Sequence, residues 1–296
     1  MAPRARRAKN SRVQQLAGAP GAPGGKGTKA GGSDGGAPGG GGVANYLRQT
    51  RSGIGAAALT LPLLALHGLG GIVAEEVRNG ADIISVGLAA AFSALDLRGA
   101  LPYAAFYGVV VLVQAVIIAF LASKGRLSRR WLLPFLAECA VYAIAAGTLS
   151  SWLTSGILDA VANVLPSHIA PLATTAAAAA TTAKSVIGPM DAVLLSFGAG
   201  FHEELVFRLG GIGLMARWWG GPSWRSRPML VLLMLIVSSL LFSAAHHLVE
   251  PFALGVFTFR TAMGLLFGAL FLARGFAVVA WTHALFDIWV LLVMAQ

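Results

Sequence analysis

The sequence predicts an all-α fold: a polytopic transmembrane helical bundle of seven or eight spans behind a disordered N-terminal tail. Three observations predict it. First, of 296 residues 56% are hydrophobic and only 11% are charged, with a mean hydropathy of +0.73. A soluble protein carries roughly 25% charged residues, so this chain is too poor in charge to cover a core with polar surface. Second, Cys139 is the only cysteine, which excludes a disulfide scaffold. Third, apolar stretches long enough to span a hydrocarbon core of about 30 Å recur along the chain.

The net charge of +10 is uneven. Most of the excess lies in residues 1–53, where Arg4, Arg6, Arg7, Lys9, Arg12, Lys26, Lys29, Arg48 and Arg51 face one acid, Asp34. Such an arm suits a cytoplasmic flank that meets anionic lipid head groups. The basic residues are sparse, and no aromatic lies among them before Tyr46, which argues against a nucleic-acid partner. Residues 18–42 are mostly Gly, Ala and Pro and bury too little apolar surface to offset their ordering entropy. The domain reading is therefore a disordered basic tail over 1–53, membrane helices with their connections over 54–184, and a membrane core over 185–295.

The well-qualified spans are 54–74, 101–122, 131–153, 187–215, 228–247, 252–273 and 275–295. A shorter stretch, 81–97, has Asp82 and Asp96 near its ends and reads as re-entrant, interfacial or a short span. Seven crossings from a cytoplasmic N-terminus gather most Lys/Arg on one side, in the tail, the 123–130 and 216–227 loops and Arg274. The Ala/Thr-rich 154–184 connection is expected to lie along the outer surface. The Ala/Gly-rich style suggests an integral protein of a bacterial inner membrane.

Ionisable groups at membrane depth are costly unless paired or hydrated, and so mark functional sites. Three clusters stand on three separate spans. In FHEELVFR, Glu204 and Arg208 are four apart on one helix face, a natural ion pair, while Glu203 points about 100° away. Packing alone accounts for Arg208 but poorly for Glu203. In FSAAHH, His246 and His247 face different directions, so one of them at most enters a shared cavity. In WTHALFD, Asp287 lies one turn beyond His283 and can accept a hydrogen bond from its imidazole, fixing the tautomer. A zinc HExxH helix is excluded, because the second His falls on Val206. Glu75, Glu76 and Arg78 sit at a helix end and read as a solvated loop. Gly264 and Gly268 form a GxxxG packing face, and Trp131, Trp152, Trp218, Trp219 and Trp224 read as interfacial anchors. Glu138 lies within a span and has no role legible from sequence. His67 and His168 read as structural or exposed.

Taken in order, Glu203-Glu204-x-x-x-Arg208, Phe242-x-x-x-His246 and His283-x-x-x-Asp287 resemble the motifs of CPBP-type intramembrane proteases. This is the CAAX-protease and bacteriocin-processing family, with relatives among the Rce1-type prenyl-protein endopeptidases. The resemblance covers roughly residues 185–295. It implies a helical membrane fold with a polar cavity, and endoproteolysis near the C-terminus of a peptide or of a lipid- or membrane-anchored protein. It implies that Glu203 is the general base, that Glu204 and Arg208 support it, and that His246 and His283 complete the site with Asp287. The family most often has Asn at this last position. An ionised Asp cannot donate to an oxyanion as Asn can, so Asp287 is either protonated or serves to orient His283. No three-ligand set has zinc-site spacing, and neither a metal nor another cofactor is expected. The rival expectation is a non-enzymatic membrane protein, either a proton-coupled transporter or a scaffold or immunity protein. No internal repeat favours transport. The sequence leaves the oligomeric state open.

Overall fold

A computed structural model describes residues 40–73, 83–124, 129–164, 188–248 and 250–294. The expectations for residues 1–39, for Glu75, Glu76 and Arg78, and for His168 lie outside the described residues. In chain order the helices are α1 (Gly40–Arg51), α2 (Gly53–Val73), α3 (Ile83–Ala94), α4 (Leu101–Ser123) and α5 (Leu132–Val164). They continue as α6 (Pro189–Glu204), α7 (Met215–Gly220), α8 (Pro228–His246), α9 (Leu254–Arg274) and α10 (Phe276–Trp289). A ten-residue π-helix, Leu205–Leu214, joins α6 to α7, and 3-10 turns precede α5 and α8. Among the described residues there is no strand.

Among the described residues, six helices are long and apolar enough to cross a bilayer: Gly53–Ile72, Leu101–Ser123, Leu132–Val164, Pro228–His246, Leu254–Arg274 and Phe276–Val293. The seventh expected span, 187–215, is helical from Pro189 onward but changes winding midway. The doubtful stretch 81–97 yields α3, whose 12 residues rise about 18 Å, short of a bilayer core. Large exposed apolar residues such as Leu112, Leu133 and Val141 cover the outer faces of the helices. Lipid is the solvent that makes such exposure favourable.

Two expectations change. Residues 40–51, read as the end of the tail, form α1, because α1 has partners: Tyr46 stacks on Trp131, and its hydroxyl donates to Glu138 on α5. Burial, together with that hydrogen bond to a carboxylate, raises the Tyr46 pKa. Residues 154–164, read as the start of a surface connection, continue α5, and Thr154 is buried in the bundle. The remainder of that connection, 165–187, lies outside the described residues. Trp224 is also buried rather than an exposed anchor, whereas Trp152 and Trp218 are exposed as expected.

The centre of the bundle is α10. It packs on α6 and α5 and follows α9 through a turn at Gly275, whose φ of 91° suits glycine. Backbones approach closely where side chains vanish. A Cβ on Gly200 would stand 2.5 Å from the Ala280 carbonyl oxygen and 2.9 Å from the Ala284 nitrogen. The expected GxxxG face works in the same way, with Gly264 against Ser239 of α8. Rigid backbone cannot yield as a side-chain tip can, so Gly200→Val is expected to cost about 1–3 kcal/mol or more. A thermal melt in detergent checks this, and an unchanged melting temperature contradicts it.

Candidate active site

Close approach of α6 to α10 brings the two glutamates at the end of α6 level with His283. Glu203 and Glu204 close α6, and both are buried, as are Arg208 and His283. The Arg208 Nε lies 3.1 Å from Glu204 Oε2, the expected ion pair. The guanidinium lies over the Phe242 ring, 4.4 Å from its centroid, so its charge meets an aromatic face inside the bundle.

Glu204 has a second partner that spacing did not reveal. His283 Nδ1 lies 2.8 Å from Glu204 Oε1. A carboxylate paired with arginine accepts, so Nδ1 carries the hydrogen, and Glu204 orients His283. That is one of the tasks open to Asp287 from sequence. Asp287 instead lies 3.5 Å from His283 Nε2, the other ring nitrogen. The helix turn places Asp287 near the ring, but the partner on α6 reaches Nδ1 first.

The second imidazole is set differently. His246 ends α8, and its Nδ1 lies 2.8 Å from the Phe242 carbonyl. A carbonyl can only accept, so Nδ1 donates and Nε2 of a neutral ring keeps its lone pair. His246 Nε2 and His283 Nε2 each lie 3.7 Å from the same atom, Glu203 Oε2. That separation is too long for a direct hydrogen bond and suits one bridging water.

These groups stand on the wall of a cavity of about 580 Å³. Glu203, His246, His283 and Asp287 line it on one side, and Phe259, Met263 and Phe286 supply an apolar lining. Glu204 and Arg208 lie behind this wall. The structure thus assembles all six expected residues in two layers. His247 turns away, with Nδ1 3.1 Å from the Pro251 carbonyl and its ring against Phe252. His202 also points elsewhere, against His67, whose Nδ1 lies 2.9 Å from the Leu194 carbonyl. His67 is buried.

Three further contributors were not singled out. Thr154 and Leu158 line the cavity from the extended part of α5, and a helix continuing past its apolar stretch left no signal for this. Arg260 also lines it, held by Glu250 through bonds of 2.7 and 3.1 Å. The Arg260 hydrogen bonds hold the Glu250 carboxyl below its ordinary pKa. The stabilisation from this pair is therefore present above the ordinary glutamate value and is lost as pH falls through the lowered one. Glu138, without a role in sequence, receives Arg274 at 2.6 and 2.8 Å, far from the cavity.

Residues 185–289 match a family model described as type II CAAX prenyl endopeptidase Rce1-like. This segment is Rce1-like. The match spans the three motif clusters that form the cavity wall, so this part of the chain is similar to CAAX-type prenyl endopeptidases. It bears out the resemblance drawn from those motifs. No curated protein and no solved structure matches the chain significantly. The N-terminal helices supply one wall of the cavity through α5 but lie outside the Rce1-like segment. Among the described residues, no group of three or more His, Cys, Asp or Glu side chains is placed to hold a metal ion.

Proposed function

We propose that the chain is an intramembrane endopeptidase that hydrolyses a peptide bond near the C-terminus of a membrane-anchored protein, with Glu203 activating the water. One observation carries the reading: two imidazole nitrogens on different helices converge on a single oxygen of Glu203 at the wall of a cavity.

Glu203 Oε2 and the lone pair of His246 Nε2 hold one water. As its oxygen attacks the scissile carbonyl, Glu203 takes the proton. The carbonyl oxygen becomes an oxyanion and accepts a hydrogen bond from His283 Nε2–H. His283 can supply that bond in its doubly protonated form, with Nδ1–H on Glu204 and Nε2–H facing Glu203 and Asp287. Collapse of the tetrahedral intermediate breaks the C–N bond, and Glu203 returns its proton to the leaving amine. The two histidines thereby divide the labour, His246 accepting and His283 donating.

The pair His283→Ala and Asp287→Asn tests this division. Loss of one oxyanion donor commonly costs roughly 100-fold in kcat or more, and that is expected for His283→Ala. Asp287→Asn is expected to lose far less, because the side chain keeps its shape, its amide oxygen can still accept from His283 Nε2–H, and the oxyanion donor remains. Equal losses in both variants contradict the assignment. No step is routed through a metal, so cleavage is expected to survive exhaustive chelation with EDTA and phenanthroline. Activity lost on chelation and restored by zinc overturns that expectation. Substrate is sought by comparing the termini of membrane proteins in cells carrying wild type and His246→Ala.

A further inference from the structure

The bundle is charged very differently at its two ends. At one end α2, α5, α8 and α10 begin, and α4 and α9 finish. Contacts fix this register: Glu138 meets Arg274, Arg51 donates to the Ala273 carbonyl, and Trp281 donates to the Leu59 carbonyl. That end carries Arg51, Arg130, Arg217, Arg225, Arg227 and Arg274. Its acid, Glu138, is consumed by Arg274.

At the other end α5 finishes, α8 stops at His246, and α9 starts at Leu254. The charges described there are Asp96, Asp159, Asp191 and Glu250 against Arg98 and Arg260. Each of these arginines is paired, Arg98 with Asp96 and Arg260 with Glu250. The cavity belongs to this end, because Leu158 of late α5, Gly255 of early α9 and Leu291 beyond α10 line it together with His246.

Lys and Arg near helix ends are retained on the cytoplasmic side, and they also favour its anionic lipid surface. The basic end is therefore cytoplasmic, and the cavity belongs to the opposite, exoplasmic half. We propose that the cavity opens away from the cytoplasm and takes a scissile segment that a membrane-anchored protein presents on the exoplasmic side of its anchor. The substrate part rests on the protease reading above, and the sidedness does not. A prenylated tail exposed in the cytoplasm is on the wrong side for this opening.

Single added cysteines test it. Leu248 and Phe252 are exposed at the cavity end, and Ser223 and Ser226 are exposed at the basic end. Buried Cys139 in the wild type sets the labelling background. With a membrane-impermeant maleimide on intact cells, Leu248→Cys is expected to label and Ser226→Cys to label only after permeabilisation. Phe252→Cys and Ser223→Cys repeat the comparison should either variant fail to accumulate. The reverse pattern overturns the proposal. Two anchored reporters complete the test, one with its cleavable segment outside and one with it inside. Cleavage of the outer reporter alone supports the substrate class, and cleavage of the inner one alone refutes it. Labelling as expected, with neither reporter distinguishing wild type from Glu203→Gln, counts against the protease reading and leaves the sidedness standing.

Discussion

Glu203→Gln is expected to abolish cleavage while the protein still inserts and folds. The change is isosteric, so the cavity keeps its shape. The amide has almost no basicity and cannot take the proton of an attacking water. General-base contributions of this kind are worth roughly 100- to 10,000-fold. The upper part of that range is expected here, because the same carboxylate later returns the proton to the leaving amine. The cavity offers no second carboxylate in an equivalent place: Glu204 is occupied by Arg208 and His283, and Asp287 faces His283 Nε2. Purified variant and wild type, compared on the same membrane-anchored substrate, give the measurement. A Glu203→Gln protein that cleaves at the wild-type rate removes the mechanism. Proton flux through wild-type liposomes without any peptide points instead to a transporter.

Arg208→Met is expected to lower stability more than any other single change at the site. Arg208 is fully buried, with Glu204 at 3.1 Å and Phe242 covering its guanidinium. Methionine has a similar reach but leaves Glu204 without its cationic partner. Breaking a buried ion pair from one side costs about 3–5 kcal/mol. Removing both charges, in Arg208→Met with Glu204→Gln, is expected to recover part of that loss, since no unpaired charge remains. Folded yield and thermal midpoint in detergent read both effects. Recovery of the melting temperature without recovery of cleavage is also expected, because the double variant still lacks the carboxylate that orients His283. Equal stability of Arg208→Met and wild type contradicts the structural role given to the pair.

Much of this was legible before any coordinates, and the reasons are physical. Ionisable groups stand out against 56% hydrophobic residues, so Glu203, His246 and His283 were easy to single out. Their convergence needed only three helices at similar depth. The Glu204–Arg208 pair followed from helical spacing. Partners across helices were hidden, because spacing along one helix says nothing about its neighbours. Thus the sequence offers Asp287 as one possible partner for His283 and does not reveal Glu204, whose Oε1 lies 2.8 Å from His283 Nδ1. The limits of α1 and α5 were hidden for a related reason. Each continues past its apolar stretch through tertiary partners, Trp131 and Glu138 for α1 and the cavity for α5. Trp224 looked like a surface anchor because sequence cannot tell a buried indole from one at the lipid boundary.

The change of winding immediately after Glu204 has a consequence of its own. A π-helix spends more residues on each turn than an α-helix does, and such stretches recur at functional sites. Over Leu205–Leu214 the chain therefore holds slack that ordinary winding would not contain. Removing one small residue there, such as Gly210 or Gly211, would let the backbone tighten into ordinary α-helical turns. Everything beyond the deletion would then swing about the axis relative to α6. The Glu203 carboxylate and the residues anchoring the following segment would fall out of phase, although every one of them would still be encoded. In this protein the number of residues between two side chains matters as much as their identity.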